Sequence, residues 1–210
     1  MRRRRTRLSA LAAAALVSPA LLGACSNGGD GKPVVAVTLP AGSLADQVLQ
    51  EEDVPDGFVP LLAQTGPADV VRIAGFSSDS TAAEKSLREH GFKQGYVVQY
   101  GDQKTGRFIV NVVATFDTEA GATADLTADI TSAQKGGTPF PVTGLGDQAA
   151  GVRGAKGAAA QTASDLVTVR WRKGSTTWLL AVGASGTVEQ DAVVSLAKIV
   201  LKSAAGNAEG

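Results

Sequence analysis

The chain reads as an α+β protein, an antiparallel sheet covered by helices and organised as two degenerate ββα units. Two pairs of β-type runs predict the sheet: Tyr96 to Tyr100 with Arg107 to Phe116, and Asp165 to Arg172 with Thr176 to Ala184. Each pair is joined by a short segment, so its strands must run antiparallel. Each pair is also followed by a stretch whose apolar residues recur at helical spacing, so one order, strand, strand, helix, occurs twice.

Taken in order, Val34 to Leu39 reads as a short strand or extended lead-in, and Ser43 to Glu52 as a short helix with Leu44, Val48 and Leu49 on one face. Pro55-Asp56-Gly57 is a turn. From Pro60 to Ser78 the pattern is mixed, and Val70-Val71-Arg72-Ile73 fits strand or helix equally. Thr81-Ala82-Ala83-Glu84 has capping-box spacing and predicts a helix start. Gly91 predicts its end, with Phe92 folding back onto Leu87.

The first hairpin is expected to place Tyr96, Val98, Tyr100, Phe108, Val110, Val112, Ala114 and Phe116 on one face, with Asn111 and Thr115 on the other. A helix follows from about Thr118 to Gln134, ended by Gly136-Gly137. Gln148 to Arg153 adds a strand before the second unit. In the second hairpin Gly174-Ser175 suits a two-residue turn, which pairs Trp171 with Trp178, Val169 with Leu180 and Val167 with Val182. A slip of one residue would turn all six apolar side chains to the wrong face, so this register is sharply specified. Thr187-Val188-Glu189-Gln190 is a second capping box, opening a helix that carries Ala192, Val193, Leu196, Ile199 and Val200 toward a core.

The N-terminus has another character. A basic start (Arg2, Arg3, Arg4, Arg5, Arg7), an apolar middle from Leu8 to Val17 and small residues before Cys25 make up a secretory signal. Leu22-Gly23-Ala24-Cys25 resembles the lipobox of bacterial lipoproteins. That resemblance implies cleavage before Cys25, a diacylglyceryl group and a further acyl chain such as palmitate on that residue, and a place on the outer face of the cell membrane. Two or three acyl chains, at about 0.8 kcal/mol per buried methylene, hold a protein far more firmly than one. Residues 1–24 are thus expected to be a signal peptide and 25–33, rich in glycine and polar residues, a flexible tether. The remaining 34–210 forms one domain, with an opening segment over 34–79, a first unit over 80–137 and a second over 138–210.

The charge balance excludes some partners. Twenty basic residues match twenty acidic ones, but the signal holds five arginines and no acid. The processed domain is mildly acidic, which leaves no electrostatic basis for nucleic-acid binding. Cys25 is the sole cysteine, so no internal disulfide is available.

Two further segments resemble secreted actinobacterial lipoproteins of uncharacterised activity. Leu49 to Phe58, with acids ahead of Pro55-Asp56-Gly57-Phe58, is similar to their opening segment, and Gly144-Leu145-Gly146-Asp147 to their approach to the last hairpin. The likeness extends to extracytoplasmic sensor-domain-like and PsbP-like α+β folds, and it implies no functional residue besides Cys25.

Catalytic chemistry has little to build on. His90 is the single histidine and falls in the last turn of a helix, where an imidazole interacts well with free carbonyls. With one histidine and one lipidated cysteine, a zinc site lacks ligands. Glu51, Glu52, Asp53 and Asp56 lack the alternating spacing of a calcium loop and read as a solvated turn. Gly144-x-Gly146-x-x-Ala149 matches a dinucleotide fingerprint in letters only, because no strand precedes it and no helix follows. Arg170, Arg172 and Lys173 are expected on a solvated outer face.

The expectation is therefore a non-enzymatic, lipid-anchored extracytoplasmic binding or interaction domain, without cofactor or metal, engaging a protein partner or a lipid. Its alternative is an envelope lipid or glycolipid carrier with an apolar cavity, in which Trp171, Trp178, Tyr96 and Tyr100 are the candidate ligand wall.

Overall fold

The computed structural model describes residues 43–154 and 163–206. The expected signal peptide, Cys25, the expected tether and the expected lead-in Val34 to Leu39 lie outside them. Eight strands form one antiparallel sheet: β1 (Val59–Pro60), β2 (Gly66–Ala68), β3 (Phe92–Asp102), β4 (Arg107–Phe116), β5 (Thr138–Phe140), β6 (Gln148–Arg153), β7 (Asp165–Lys173) and β8 (Thr176–Ala184). Their order is β1-β3-β4-β8-β7-β6-β5, with β2 also paired to β3. The four helices are α1 (Val70–Ala74), α2 (Ser80–Glu89), α3 (Glu119–Gly136) and α4 (Gln190–Gly206). The fold is α+β, as the repeated strand-strand-helix order predicts. Short edge strands carrying Pro60, Pro67 and Pro139 flank the sheet, and a proline there withholds the donor that would recruit another chain.

The second hairpin has the expected register, with Trp171 opposite Trp178, Val169 opposite Leu180 and Val167 opposite Val182. Gly174 meets the turn's demand with φ +56°. The first hairpin does not have the expected faces. Tyr96 pairs with Val113, Val98 with Asn111 and Tyr100 with Ile109, so the tyrosines share a face with Asn111 and Thr115, away from Phe108, Val110, Val112, Ala114 and Phe116. Periodicity cannot choose between faces here, because β4 is apolar on both and both are covered.

On the first face, α4 and the segment around Val48, Leu49 and Phe58 cover Val98, Tyr100, Ile109, Val113, Trp171, Trp178 and Leu180. On the second face, α1 and α2 cover the β4 side, through Ala114 and Phe116, while α3 extends over β4, β8, β7 and β6. The two ββα units therefore repeat an order but not a packing: α3 follows its hairpin onto one face and α4 follows its own onto the other.

Several local expectations change. Residues 43 to 53 form two 3-10 turns, Leu44–Gln47 and Glu51–Asp53, instead of one helix. Val48 and Leu49 sit between the turns in extended backbone and are buried, so their apolar pattern marks a covering strap. Val70–Ala74 is a helix capped by Asp69, whose side chain accepts from the Arg72 N–H at 2.9 Å. Helix α2 begins one residue before the expected box and is capped by Asp79, which accepts from Ala82 N–H at 3.0 Å. Gly91 ends it at φ +77°, with Phe92 packed beside Leu87. Helix α4 starts at Gln190, the last residue of the expected Thr187 box, and turns Val193, Ala197 and Val200 inward while Ala192 and Ile199 stay exposed.

Candidate functional site

Trp171 and Trp178, the core of the expected ligand wall, stack at 5.8 Å between ring centroids with planes 4° apart. Trp178 donates from Nε1 to the Gln47 carbonyl at 2.9 Å, and Tyr100 donates its hydroxyl to the Leu49 carbonyl at 2.8 Å. Burial, with Glu51, Glu52 and Asp53 nearby, raises the Tyr100 phenol and keeps it a donor. Asn111, fully buried, accepts from Leu49 N–H at 2.7 Å and donates to the Leu179 carbonyl at 3.0 Å. The strap is thus tied down over the aromatic wall, with Tyr96 partly buried beside it.

The Gly144-Leu145-Gly146-Asp147 segment is a loop that clamps the second hairpin. Leu145 is buried in the aromatic cluster, Asp147 N–H donates to the Arg172 carbonyl at 2.7 Å, and Asp147 Oδ2 accepts from Gly174 N–H at 2.8 Å. Gly146 has φ +65°, and a Cβ there would lie 2.2 Å from the Arg172 carbonyl oxygen, so only glycine fits. The motif's role here is structural.

Arg170 and Arg172 are not on a solvated face. They lie beneath α3, with Arg170 5% exposed. Arg170 donates from Nε to Asp129 at 2.6 Å and from Nη1 to Thr168 Oγ1 at 2.6 Å, while Arg172 Nη1 reaches Glu119 at 2.9 Å and Asp147 at 3.2 Å. Alternation correctly puts them opposite the tryptophans. It could not show that α3 brings acids down onto that face.

The space left unfilled is on this second face. A cavity of about 150 Å³ opens between the α1–α2 connection, α2, α3 and strands β4 and β8. Ile73, Phe76, Leu87, Val112, Leu126 and Leu179 supply apolar wall, and Asp79, Asp125 and Asp129 carboxylates line it with no lysine or arginine among the described lining residues.

At one end lies a relay that the sequence reading missed. Ser86 donates its hydroxyl to Asp125 Oδ1 at 2.9 Å, and His90 Nδ1 is 3.1 Å from the same hydroxyl oxygen. While Ser86 gives its one proton to ionised Asp125, the contact to the imidazole is a hydrogen bond only in the form that carries its proton on His90 Nδ1 and donates it to Ser86. Imidazole, hydroxyl and carboxylate therefore run in that sequence, whereas acyl transfer places the imidazole between the other two. His90 Nδ1 also lies 3.9 Å from Asp125 Oδ1, with side-chain exposures of 29% and 14%. Burial pushes the Asp125 carboxyl up to about 6. The Ser86 hydrogen bond opposes this, Asp129 adds to it, and His90 offsets part of it. The four-residue spacing of Ser86 and His90 was readable as one helix face, but Asp125 comes from another element. Among the described residues no group of three or more His, Cys, Asp or Glu is placed to hold a metal ion.

No family model matches the chain, and no curated protein matches it in sequence. Among solved structures, the extracellular domain of PknH from Mycobacterium tuberculosis is similar in fold, with a TM-score of 0.56 at 10% identity, covering 80% of this chain and 97% of that one. The likeness concerns fold and agrees with the α+β architecture expected from the sequence.

Proposed function

We propose that this chain is a non-catalytic, extracytoplasmic small-ligand-binding domain, anchored by lipid on Cys25 and using the cavity between α2, α3 and the sheet. The observation that carries the reading is that cavity, which combines apolar walls with aspartates among its lining residues. The lipobox supports the anchor, and no helix among the described residues is long and apolar enough to span a membrane. The carrier alternative fits the geometry less well. Of its aromatic wall only Trp178 lines the cavity, and a space of about 150 Å³ accommodates a molecule of roughly benzene size.

Native mass spectrometry of the protein purified from its own membrane tests the ligand. A small adduct that disappears in Ala83→Leu, which extends α2 into the cavity, is the expected result; a two-chain lipid adduct would replace this reading with the carrier. Fractionation tests the anchor. Cys25→Ala should move the folded protein out of the membrane fraction, and its persistence there after a carbonate wash would refute lipidation.

A further inference from the structure

We infer that the cavity selects a small hydrocarbon bearing an ammonium group, seated with its cation against Asp125 and its hydrocarbon part among Phe76, Leu87, Leu126 and Leu179. The inference rests on the cavity being a ligand site and goes further by specifying the ligand's charge and shape. Three features support it.

The first is charge complementarity. Asp79, Asp125 and Asp129 face the space, while strands β4 and β8 contribute only uncharged side chains to it. Asp79 caps α2 by accepting from the Ala82 N–H, and Asp129 is bound to Arg170 outside the cavity. Asp79 is exposed to water, whereas the Asp125 side chain, 14% exposed, is held by a neutral hydroxyl and by an imidazole 3.9 Å away, so neither solvent nor an arginine offsets its charge. The second is shape. The apolar floor excludes a hydrated inorganic ion, which would surrender water for hydrocarbon, but it suits a short alkyl or cycloalkyl group. The third is the protonation behaviour of Asp125, whose burial cost exceeds what its partners return. An ammonium at hydrogen-bond distance would supply the missing counter-charge and favour the ionised form.

Proton coupling follows, with a definite sign. With Asp125 near pH 6, binding is strongest when the carboxylate is formed and weakens as pH falls through that value. The other charged or titratable groups around it are His90 and Asp79 from α2 and its cap, Asp129 on α3, and Arg170 from β7 behind Asp129.

Calorimetric titration of the full chain with butylammonium, butanol and butyrate at pH 7.5 and 5 tests this. Butylammonium should bind at least tenfold more tightly than butanol at pH 7.5, and butyrate more weakly than either. Its affinity should drop about tenfold at pH 5 in the wild type and also in His90→Gln, which lacks the imidazole. Asp125→Asn should lose the amine preference and its pH dependence while still binding butanol. If butanol or butyrate binds as tightly as the amine, or if Asp125→Asn leaves the preference intact, the inference fails. Where Ala83→Leu then still abolishes butanol binding, the cavity remains a ligand site and only the charge assignment is lost. If none of the three probes binds a protein that melts cooperatively, both are overturned.

Discussion

The two ββα units share an order and differ in what they bury. After β7 and β8, α4 packs Val193, Ala197 and Val200 over stacked tryptophans, and the strap closes what remains. After β3 and β4, α3 crosses to the other face. There it sets Asp125 and Asp129 over a sheet surface carrying Thr168, Arg170 and Thr177. The first arrangement is an apolar cluster in which Tyr100, Asn111 and Trp178 are tied to the strap while Trp171 Nε1 finds no partner. The second combines ion pairs, a hydroxyl relay and empty space. Apolar side chains can interdigitate to fill a layer, whereas charged ones are held by their partners' geometry and leave gaps. The incompletely packed face is therefore the one suited to a ligand.

The contrast can be broken on each side. Removing the indole in Trp178→Ala should cost about 3–5 kcal/mol in chemical denaturation, as for other buried large aromatics. A loss below about 1 kcal/mol would show that the aromatic face is not the stabilising one. Arg170→Ala should cost less, about 2–3 kcal/mol, because Asp129 is left unpaired but remains a third exposed. The double variant Arg170→Met, Asp129→Leu should recover most of that loss. Failure to recover it would mean that packing around the arginine stem matters more than its charge.

Asp125 gives a smaller, pH-dependent signal. Its folded value, about 6, lies above the ordinary 3.8, so the folded state holds the proton more tightly. Stability attributable to this group should rise as pH falls from 7.5 through 6 towards 4, by at most about 3 kcal/mol at about 1.4 kcal/mol per pH unit. Asp125→Asn should lack that rise in denaturation curves taken at both ends. Asp102 works in the opposite sense. Thr105 chiefly, with help from Arg107 and two backbone N–H groups, pulls it down to about 2, so its contribution is complete above pH 4 and disappears only in stronger acid. The window from pH 7.5 to 4.5 therefore isolates Asp125. The smallest effect belongs to His90→Gln. It should change neutral-pH stability by less than about 1 kcal/mol, since the residue sits at a helix end with part of its ring in solvent. A loss above 2 kcal/mol would make the relay a structural keystone.

Much of the architecture was legible because it depends on short-range rules. The Trp171 to Trp178 register follows from a two-residue turn and three apolar pairs, Gly91 ends its helix through its positive φ, and Thr118 caps the next through its side chain. The first hairpin was misread because β4 is apolar on both faces, so alternation holds no information about which face meets the tyrosines. Arg170 shows the same limit. A charge on an alternating strand looks solvated until another element covers it.

What the sequence determined by itself was the alternation of elements with most of their turns and caps, since each is encoded within about ten neighbouring residues. Only the tertiary structure decided which face each helix takes. With that came the cavity, the burial of Arg170 and the meeting of Ser86 and His90 with Asp125. These depend on residues about forty positions apart brought together by the burial of apolar area, which is proportional to surface and carries no direction along the chain.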